Sequence, residues 1–396
     1  MNAIKYDPFS SEVREDPYPI YRALRAEAPV YHNEEHDLWV LTRFDDVQAA
    51  ARDWRALSSA EGTGLDRSEK QLFGSGEEGN FTITDPPVHT ALRGMVRKLF
   101  TPRTMRETYT PPIHAETERL LDGMGGLDYP DVIVDFARKL PAAIVTTWLG
   151  FPREDVDRVA DLSVRALSRE VGNPTMPDSA LPALEELRSY IMGLVSRRRT
   201  QPSDDVVTWV LQAAEAEGYD RRAADEFAAN VSLFFYAAGT ETTAALIGNA
   251  LLALDGHPEQ REHLVSNPGI MPQAIEEFLR YDSSLQHVIR VATTDREFQG
   301  MTIPRGARTL LLFGSANRDE ARWDRSEELD LTREPLRHLA FGEGIHHCLG
   351  APLARLEAPI ALSAFLGRWP GYEISGPTKR LPGFSVRGLD RLPVRL

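Results

Sequence analysis

The segment FGEGIHHCLG, residues 341–350, places glycines and two imidazoles around Cys348, the only cysteine of the chain. The sequence after it has apolar residues at helical spacing, and Pro352 suits a first helical turn. We therefore predict that Cys348 lies at or just before a helix N-terminus, where free N–H groups and the helix dipole stabilise a thiolate. A lone cysteine is usually a small buried apolar side chain, but the glycines and the helix start favour a chemical role.

Three chemical roles compete for this cysteine. Zinc is disfavoured, because His346, His347 and Cys348 are too close in sequence to form a tetrahedral set and the chain has no second cysteine. A nucleophilic thiol fits a helix terminus, which activates it. The third role is an axial thiolate on haem iron. Glycines favour this role, because a wide flat group needs thin chain around its ligand.

A buried haem would need cationic partners for its two carboxylates. His89 and Arg93 lie four residues apart and would share one face of a helix. Arg290 opens a strand-like segment, and His346 precedes the cysteine by two residues. Each of these residues, taken singly, is more often a surface or structural residue. The prediction therefore depends on their convergence in the fold.

Composition narrows the class of protein. The 396 residues are 42% hydrophobic and 26% charged, which is ordinary for a globular protein. The formal charge of −14 disfavours nucleic acid as the main partner, and a single cysteine excludes an internal disulfide. We find no signal peptide and no run near the roughly 18 apolar residues of a membrane span. We expect a cytoplasmic protein that does not associate with membranes.

The pattern of elements is mostly α with small β-sheets, an α+β class, and we expect one domain over residues 1–396. Periodicity predicts a strand at 39–42 and a short helix at 45–53. Residues 58–85 are rich in glycine, serine and charge, which predicts a long surface loop. Helical periodicity dominates from about 89 to 264, and short strands are expected from 290 to 313.

Residues 224–254 predict one long helix whose middle is apolar on most faces. The run GTETT, residues 239–243, is unexpected there, because glycine and β-branched residues are poor helix formers and a buried carboxylate is costly unless paired. One interpretation is structural, with a threonine bonded back to its own helix and the glutamate bridging to a neighbour. The other is chemical, because a positioned hydroxyl beside an acid can deliver protons.

The segment 341–350 resembles the haem-binding loop of the cytochrome P450 family. The resemblance continues in the family's order over nearly the whole chain, through HTALR, AGTETT, EEFLR, RVATTD, SANRD and LDLTRE. It implies the family's triangular-prism fold around a buried haem b with an axial Cys348 thiolate, and O2 as co-substrate. The haem contacts that it implies are His89, Arg93, Ala238, Arg290, Phe341, Gly342, His346, Cys348 and Gly350.

The resemblance also assigns roles away from the cysteine. Thr242 corresponds to a threonine in a widened helix groove above the iron, and Glu241, in place of the commoner aspartate, would help to relay protons. Glu277 and Arg280, three residues apart on a helix, would bond with Arg333 and brace the haem loop. Taken alone, such a pair is more often an exposed bridge worth under roughly 1 kcal/mol.

The basic stretch 86–106 contains no acid and, by resemblance, would lie on the cysteine side of the haem, where family members dock an electron donor. A charge run alone predicts only a solvated helix face. An acidic ferredoxin or flavodoxin, supplied by its reductase, would suit the cations of this stretch. The predicted cationic face consists of Arg97, Lys98, Arg103 and Arg106.

By similarity, the substrate pocket would be lined by Leu72, Phe73, Phe81, Phe235, Leu285, Val288 and Phe384. These residues predict an apolar, partly aromatic site for an organic molecule of modest size. No cluster of cations in the sequence requires a carboxylate substrate.

Together these features predict a monomeric haem-thiolate monooxygenase that hydroxylates or dealkylates an apolar organic substrate. A peroxide-driven or non-oxygenating enzyme of the same fold is a second possibility, which the pair Glu241 and Thr242 disfavours. A haem-binding sensor or carrier is a third, and a hydrolase with a cysteine nucleophile is a fourth.

Overall fold

The structure is a computed structural model that describes residues 4–65, 72–74, 79–170, 175–334 and 337–396. Helices dominate these ranges, and the strands are short. The helices are α1 Ser11–Glu15, α2 Tyr18–Glu27, α3 Phe44–Arg52, α4 Val88–Val96, α5 Pro102–Gly125, α6 Lys139–Leu149, α7 Val156–Ala166, α8 Leu181–Thr200, α9 Val206–Ala216, α10 Arg221–Asp255, α11 Pro258–Ser266, α12 Met271–Tyr281, α13 Phe313–Ala316 and α14 Ala351–Arg368.

The strands form one five-stranded sheet and three two-stranded ribbons within the described residues. They are β1 Val30–Asn33, β2 Leu38–Leu41, β3 Leu57–Ser58, β4 His287–Ala292, β5 Arg296–Phe298, β6 Met301–Ile303, β7 Arg308–Leu312, β8 Glu373–Ile374, β9 Lys379–Arg380, β10 Leu389–Arg391 and β11 Val394–Arg395. The sheet has the order β1-β2-β7-β4-β3, and only β2 and β7 pair in parallel. It therefore joins the first part of the chain to the segment that precedes the cysteine.

The sequence predicted several of these elements closely. The strand expected at 39–42 is β2, and the helix expected at 45–53 is α3, each within one residue at both ends. The predicted loop 58–85 falls partly on residues 66–71 and 75–78, which lie outside the described residues. Its described part includes a short 3₁₀ turn at Phe81–Ile83.

The helix expected at 224–254 is α10, which runs without a break from Arg221 to Asp255. Asp220 caps its start, because its Oδ1 accepts a hydrogen bond from the backbone N–H of Ala223 at 2.9 Å. At 1.5 Å per residue this helix is about 50 Å long. Residues 238–242 are not buried, although the turns on both sides of them are. The chemically unusual run of the sequence is therefore the part of α10 that faces open space.

Close packing holds α10 against α6. A Cβ added at Gly239 would lie 3.0 Å from Cγ2 of Val145, so this valine side chain would have to shift by a few tenths of an ångström to accept a larger residue. No helix in the described part of the chain is long and apolar enough to span a bilayer. The single-domain organisation and the cytoplasmic location stay predictions.

Candidate active site

A cavity of about 470 Å³ lies between α10 and the segment 341–350, which is called the cysteine loop below. Residues from distant parts of the sequence line it, and almost all residues predicted for the site are among them. These are Leu72, Phe73, Phe81, Arg93, Phe235, Ala238, Glu241, Thr242, Leu285, Val288, Arg290, Phe341, Gly342, His346, Cys348, Gly350 and Phe384. Of the predicted haem contacts, only His89 is absent from this lining.

The cysteine loop is held by backbone geometry. The N–H of Cys348 donates to the carbonyl of Phe341 at 2.8 Å, which closes the loop on itself. Gly342 and Gly344 adopt φ values of 66° and 70°, in the left-handed region that favours glycine. A Cβ at Gly344 would also lie 2.8 Å from the backbone oxygen of Ala51. Glycine is therefore required at position 344 both by conformation and by the close approach of α3.

The Cys348 side chain is accessible from the cavity, yet it lies deep within the protein. Desolvation raises the pKa of its thiol, while the backbone N–H groups of Gly350 and Ala351 and the charge of Arg93 act in the opposite direction. Arg93 also donates from Nη2 to the carbonyl of His347 at 2.5 Å, which ties α4 to the cysteine loop. The predicted helix start after the cysteine is confirmed by α14, which begins at Ala351.

Four groups that can carry positive charge converge at one end of the cavity. The rings of His89 and His346 lie 4.5 Å apart, and Nε2 of His346 is 3.1 Å from the hydroxyl of Ser59. Within the described part of the chain, neither ring nitrogen of the buried His89 makes a hydrogen bond. Burial and the charge of Arg93 lower the pKa of His89 to about 4, and burial with the charge of Arg290 lowers that of His346 to about 2. This cluster would be stabilised by an anionic group in the cavity.

The α10 side of the cavity carries a hydroxyl and an acid. Oγ1 of Thr242 donates to the carbonyl of Ala238 at 2.8 Å, the back-bond of the structural interpretation. Its side chain is nevertheless open to the cavity, as is that of Glu241. Burial raises the pKa of Glu241, and the charges of Arg169 and Arg138 oppose this effect. The back-bond of Thr242 agrees with the structural interpretation for the threonine, and the access of both side chains to the cavity is compatible with the chemical one.

The predicted glutamate–arginine cluster is assembled and buried. Oε2 and Oε1 of Glu277 accept hydrogen bonds from Nε and Nη2 of Arg280, both at 2.7 Å, and Oε1 also accepts one from Nε of Arg333 at 3.2 Å. Glu277 and Arg280 are only 4% and 2% exposed. The two arginines further donate to backbone carbonyls in the segment 324–328. The pair is thus not the exposed bridge that its sequence spacing alone favours.

A second charged contact joins α12 to α14. Glu276 accepts hydrogen bonds from Nε and Nη2 of Arg355 at 2.7 and 2.8 Å, and His338 approaches it to 3.1 Å. Burial alone would raise the pKa of Glu276, but the hydrogen bonds from Arg355 and His338 outweigh it and lower the pKa to about 2. The guanidinium of Arg355 also lies over the ring of Phe341 in the cysteine loop, 4.5 Å from its centroid.

Aromatic side chains form one wall of the cavity, called the aromatic wall below. Its members are Phe81, Phe100, Trp148, Phe234 and Phe235. Trp148 stacks on Phe235 at a centroid distance of 5.3 Å, and Phe100 meets the same ring edge-on at 5.1 Å. Sequence reasoning missed Phe100, Trp148 and Phe234. The adjacent Phe234 and Phe235, on a helix predicted to be buried, could have indicated Phe234. No local sequence pattern indicates Trp148 or Phe100.

The four cations of the predicted cationic face are all exposed. Arg97 and Lys98 lie in a 3₁₀ turn directly after α4, and Arg103 and Arg106 lie in the first turns of α5. Arg103 pairs with Glu107 at 2.8 Å, which offsets part of the positive charge. Because Arg93 ties α4 to the cysteine loop, this face begins close to the cysteine side of the cavity.

Comparisons with known proteins agree with this geometry. A family model described as Cytochrome P450 matches residues 182–370. Cytochrome P450 CYP107DY1 of Priestia megaterium is 35% identical over 413 aligned positions, which cover 100% of each chain. The chain belongs to the cytochrome P450 family. Vitamin D(3) 25-hydroxylase of Pseudonocardia autotrophica is also 35% identical, over 99% of this cytochrome P450 and 96% of that enzyme.

Solved structures show the same fold. The crystal structure of CYP109E1 from Bacillus megaterium in complex with testosterone superposes on this cytochrome P450 with a TM-score of 0.87 and 31% identity, over 97% of this chain and 98% of that one. The crystal structure of CalO2 gives a TM-score of 0.89 and 30% identity, over 100% of this chain and 99% of that one. The predicted mostly helical cytochrome P450 fold is therefore confirmed.

The fold implies haem held by a cysteine thiolate, and the residues of this chain fit that group. Cys348 is the single thiol of the protein and lies in the cavity wall. Among the described residues, the two ring nitrogens of His89 have no hydrogen-bond partner, and this ring lies against His346, which lines the cavity together with Arg93 and Arg290. Such a set is suited to two carboxylates.

Proposed function

We propose that this protein is a haem-thiolate monooxygenase that inserts one atom of O2 into an apolar organic substrate, by hydroxylation or oxidative dealkylation. For hydroxylation, the substrate R–H, O2, two electrons and two protons give R–OH and water. Haem b would supply the activation of oxygen when bound. The residues of the chain hold this cofactor, orient the substrate, exclude water and deliver protons.

The observation that carries the proposal is the single thiol, Cys348, in the wall of a cavity that has two arginines and a histidine at one end, with a second histidine packed against the first. In this proposal Cys348 is the iron ligand. His89, Arg93, Arg290 and His346 bind the haem carboxylates. The remaining haem contacts would be Ala238, Phe341, Gly342 and Gly350.

Glu241 and Thr242 are proposed to deliver protons on the α10 side. The hydroxyl hydrogen of Thr242 is committed to the carbonyl of Ala238, so its oxygen is left to accept a hydrogen bond from a water or an acid in the cavity. Burial raises the pKa of Glu241, which makes the protonated, donating form of its carboxyl more available. Both side chains line the cavity.

Electrons are proposed to arrive one at a time from an acidic ferredoxin or flavodoxin, which is reduced by its own reductase and docks on the cationic face. The exposure of Arg97, Lys98 and Arg106 supports this part of the proposal. The substrate would pack against the aromatic wall and the predicted lining residues. The enzyme is proposed to act as a monomer.

The test is the absorption spectrum of the reduced protein with carbon monoxide. The purified protein is expected to show the red-shifted Soret band that marks thiolate ligation. Cys348→Ala should lose that band, and Cys348→His should give a histidine-type band if it takes up haem. The proposal fails if Cys348→Ala binds haem with an unchanged spectrum and turns over at the parent rate.

A second measurement separates the monooxygenase from a peroxide-driven relative and tests the role of Thr242. Product should form with ferredoxin, reductase and NADPH, and should not require added peroxide. Thr242→Val is expected to lower the product formed per NADPH consumed by about tenfold or more, because the positioned hydroxyl is lost. Thr240→Val is the matched control, since Thr240 makes the same type of back-bond, to Tyr236 at 2.9 Å, but does not line the cavity. Equal losses in both variants would count against the role.

A further inference from the structure

Two polar side chains, those of His287 and Ser385, form a pair in the wall of the active-site cavity. His287 is the first residue of β4 and is only 2% exposed, and Ser385 lies in the segment 383–386. Nε2 of His287 is 3.3 Å from Oγ of Ser385. The backbone also joins the two segments, because the N–H of Gln286 donates to the carbonyl of Ser385 at 2.8 Å. The pair is therefore a fixed part of the cavity wall.

The pair is separate from the cluster proposed to bind the haem carboxylates. Arg290 of that cluster lies three residues further along β4, which is a distance of about 10 Å at the rise of a strand. His287 also lines a second, small cavity together with Phe9 of the N-terminal segment. Leu285 and Phe384, which are both predicted to contact substrate, flank the pair in sequence and line the active-site cavity. These positions assign the pair to the part of the cavity where the substrate is proposed to lie.

The protonation of His287 decides which member of the pair donates the hydrogen bond. Burial lowers the pKa of His287 to about 4, so the imidazole is neutral near pH 7 and carries one N–H. Among the residues that the structure describes, Nδ1 of His287 has no hydrogen-bond partner. A proton on Nδ1 would be a buried donor without an acceptor, whereas a proton on Nε2 can be donated to Oγ of Ser385. His287 is therefore the donor and Ser385 the acceptor.

This arrangement leaves the hydroxyl hydrogen of Ser385 available to a molecule in the cavity. Ser385 is partly exposed, and its hydroxyl makes no other hydrogen bond within the described part of the chain. An occupant that excludes water from this O–H group costs free energy unless it supplies an acceptor of its own. The pair carries no charge, so it would not compensate the lost hydration of a carboxylate as an ion pair does. It is suited to a neutral acceptor such as a carbonyl oxygen.

We propose that the substrate is a neutral, largely apolar molecule with a carbonyl oxygen, which accepts a hydrogen bond from the hydroxyl of Ser385. His287 is a positioning residue, because its N–H fixes the serine oxygen and directs the hydroxyl hydrogen away from the imidazole. This inference rests on the proposed function, since it names a substrate class for the same cavity. The apolar body of the substrate would pack against the aromatic wall. An anchored oxygen would hold the molecule in one orientation, which favours oxidation at one position.

The test compares ketones with hydrocarbons of similar shape on the haem-loaded full chain. The probes are 4-phenylcyclohexanone against phenylcyclohexane, and cyclooctanone against cyclooctane. Isothermal titration calorimetry gives the dissociation constants, with the protein in the syringe because the hydrocarbons are sparingly soluble. At least one ketone is expected to bind as tightly as its hydrocarbon or more tightly. In a cavity without a donor for the carbonyl, the ketone would bind about thirtyfold or more weakly, because a buried carbonyl without a partner is unfavourable.

Substitutions then assign the binding of the ketone to the pair. Ser385→Ala should weaken the ketone about fivefold to tenfold and leave the hydrocarbon unchanged. Ser385→Thr should keep the ketone's affinity relative to the hydrocarbon, whereas Ser385→Val, which has nearly the same shape without the hydroxyl, should lose it. His287→Leu should weaken the ketone about threefold, and His287→Gln, which keeps an N–H, should stay near the parent. Ser375→Ala is the matched control, because Ser375 is exposed and does not line the cavity.

The proposal is overturned if neither ketone binds, if both bind about thirtyfold more weakly than their hydrocarbons, or if Ser385→Ala leaves the ketone unchanged or weakens both probes alike. The ranking of ketone and hydrocarbon on the parent decides the matter even if a variant does not fold. The carbon monoxide spectrum of the same sample separates the two proposals. A thiolate band without ketone binding rejects only the carbonyl substrate, whereas the absence of that band rejects the monooxygenase.

Discussion

The cysteine loop and the aromatic wall enclose one cavity but are stabilised by different forces. Directional bonds fix the cysteine loop, among them the bond from Cys348 to Phe341 and that from Arg93 to His347. Ring packing such as that of Trp148 on Phe235 forms the wall. Hydrogen bonds require one geometry, whereas apolar packing tolerates exchanges of similar volume. The difference suits a site that must hold one cofactor in a fixed place beside a substrate space that can vary.

The largest expected effect breaks the polar framework behind the cysteine loop. Arg280→Leu leaves the buried Glu277 without its two-bond partner, and we expect a loss of about 3–5 kcal/mol in the free energy of unfolding. Urea unfolding measures it. Arg222→Leu is the matched control, because Arg222 pairs with Glu226 at 3.1 Å on the exposed face of α10 and should cost under about 1 kcal/mol. Similar losses in the two variants would contradict the distinction drawn between buried and exposed pairs.

A smaller effect is expected from the aromatic wall. Phe235→Ala removes a ring that packs on Trp148 and Phe100, and we expect a loss of about 3 kcal/mol in unfolding free energy. Phe235→Leu should cost under about 1.5 kcal/mol, because the volume is nearly kept. The carbon monoxide spectrum should be the same in both variants. A change in the thiolate band would show that the wall and the cysteine loop are not independent.

The smallest expected effect concerns a buried carboxyl group in the helix that follows the cysteine. It is an exception to the hydrogen-bonded framework around the cysteine loop. Glu357 of α14 is fully buried, and its carboxyl oxygens have no hydrogen-bond partner among the described residues. Burial raises its pKa to about 8. A carboxyl whose folded pKa is raised favours the folded state at low pH, and this contribution is lost as pH rises from about 4.5 to about 8. Glu357→Gln should therefore be more stable than the parent near pH 8, and this gain should shrink as the pH falls toward 5.

Unfolding free energies measured across this pH range check the prediction. Glu357→Asp is the control that keeps the titrating group. A stability difference between parent and Glu357→Gln that does not change with pH would contradict it.

Sequence reasoning succeeded where local pattern carries the structure. The glycines, the cysteine and the following helix start are contiguous, so the cysteine loop could be predicted at the level of single residues. The α10 helix was predicted because its apolar pattern is long. The convergence of Arg93 and Arg290 on the cavity was anticipated through the chemistry that a buried carboxylate would need.

The remaining features depend on tertiary contacts that no local pattern encodes. Trp148 and Phe100 join the aromatic wall because α6 and the turn after α4 pack against α10. Arg169 lines the cavity from a position just after the end of α7. Burial of the Glu277 pair likewise required the segment 324–328 to close over it. Sequence spacing alone had favoured an exposed bridge.

The continuity of α10 has a consequence for how this enzyme could diversify. Phe235, Glu241 and Thr242 are carried by one unbroken rod, so their mutual spacing is set by helix geometry and not by loops. Trp148, Phe100 and Arg169 reach the same space from separate supports. Substitution of these three residues would change the shape of the cavity, while the spacing between Glu241 and Thr242 would stay the same. New substrate specificities can thus arise through substitutions in the elements around α10, without any change in α10 itself.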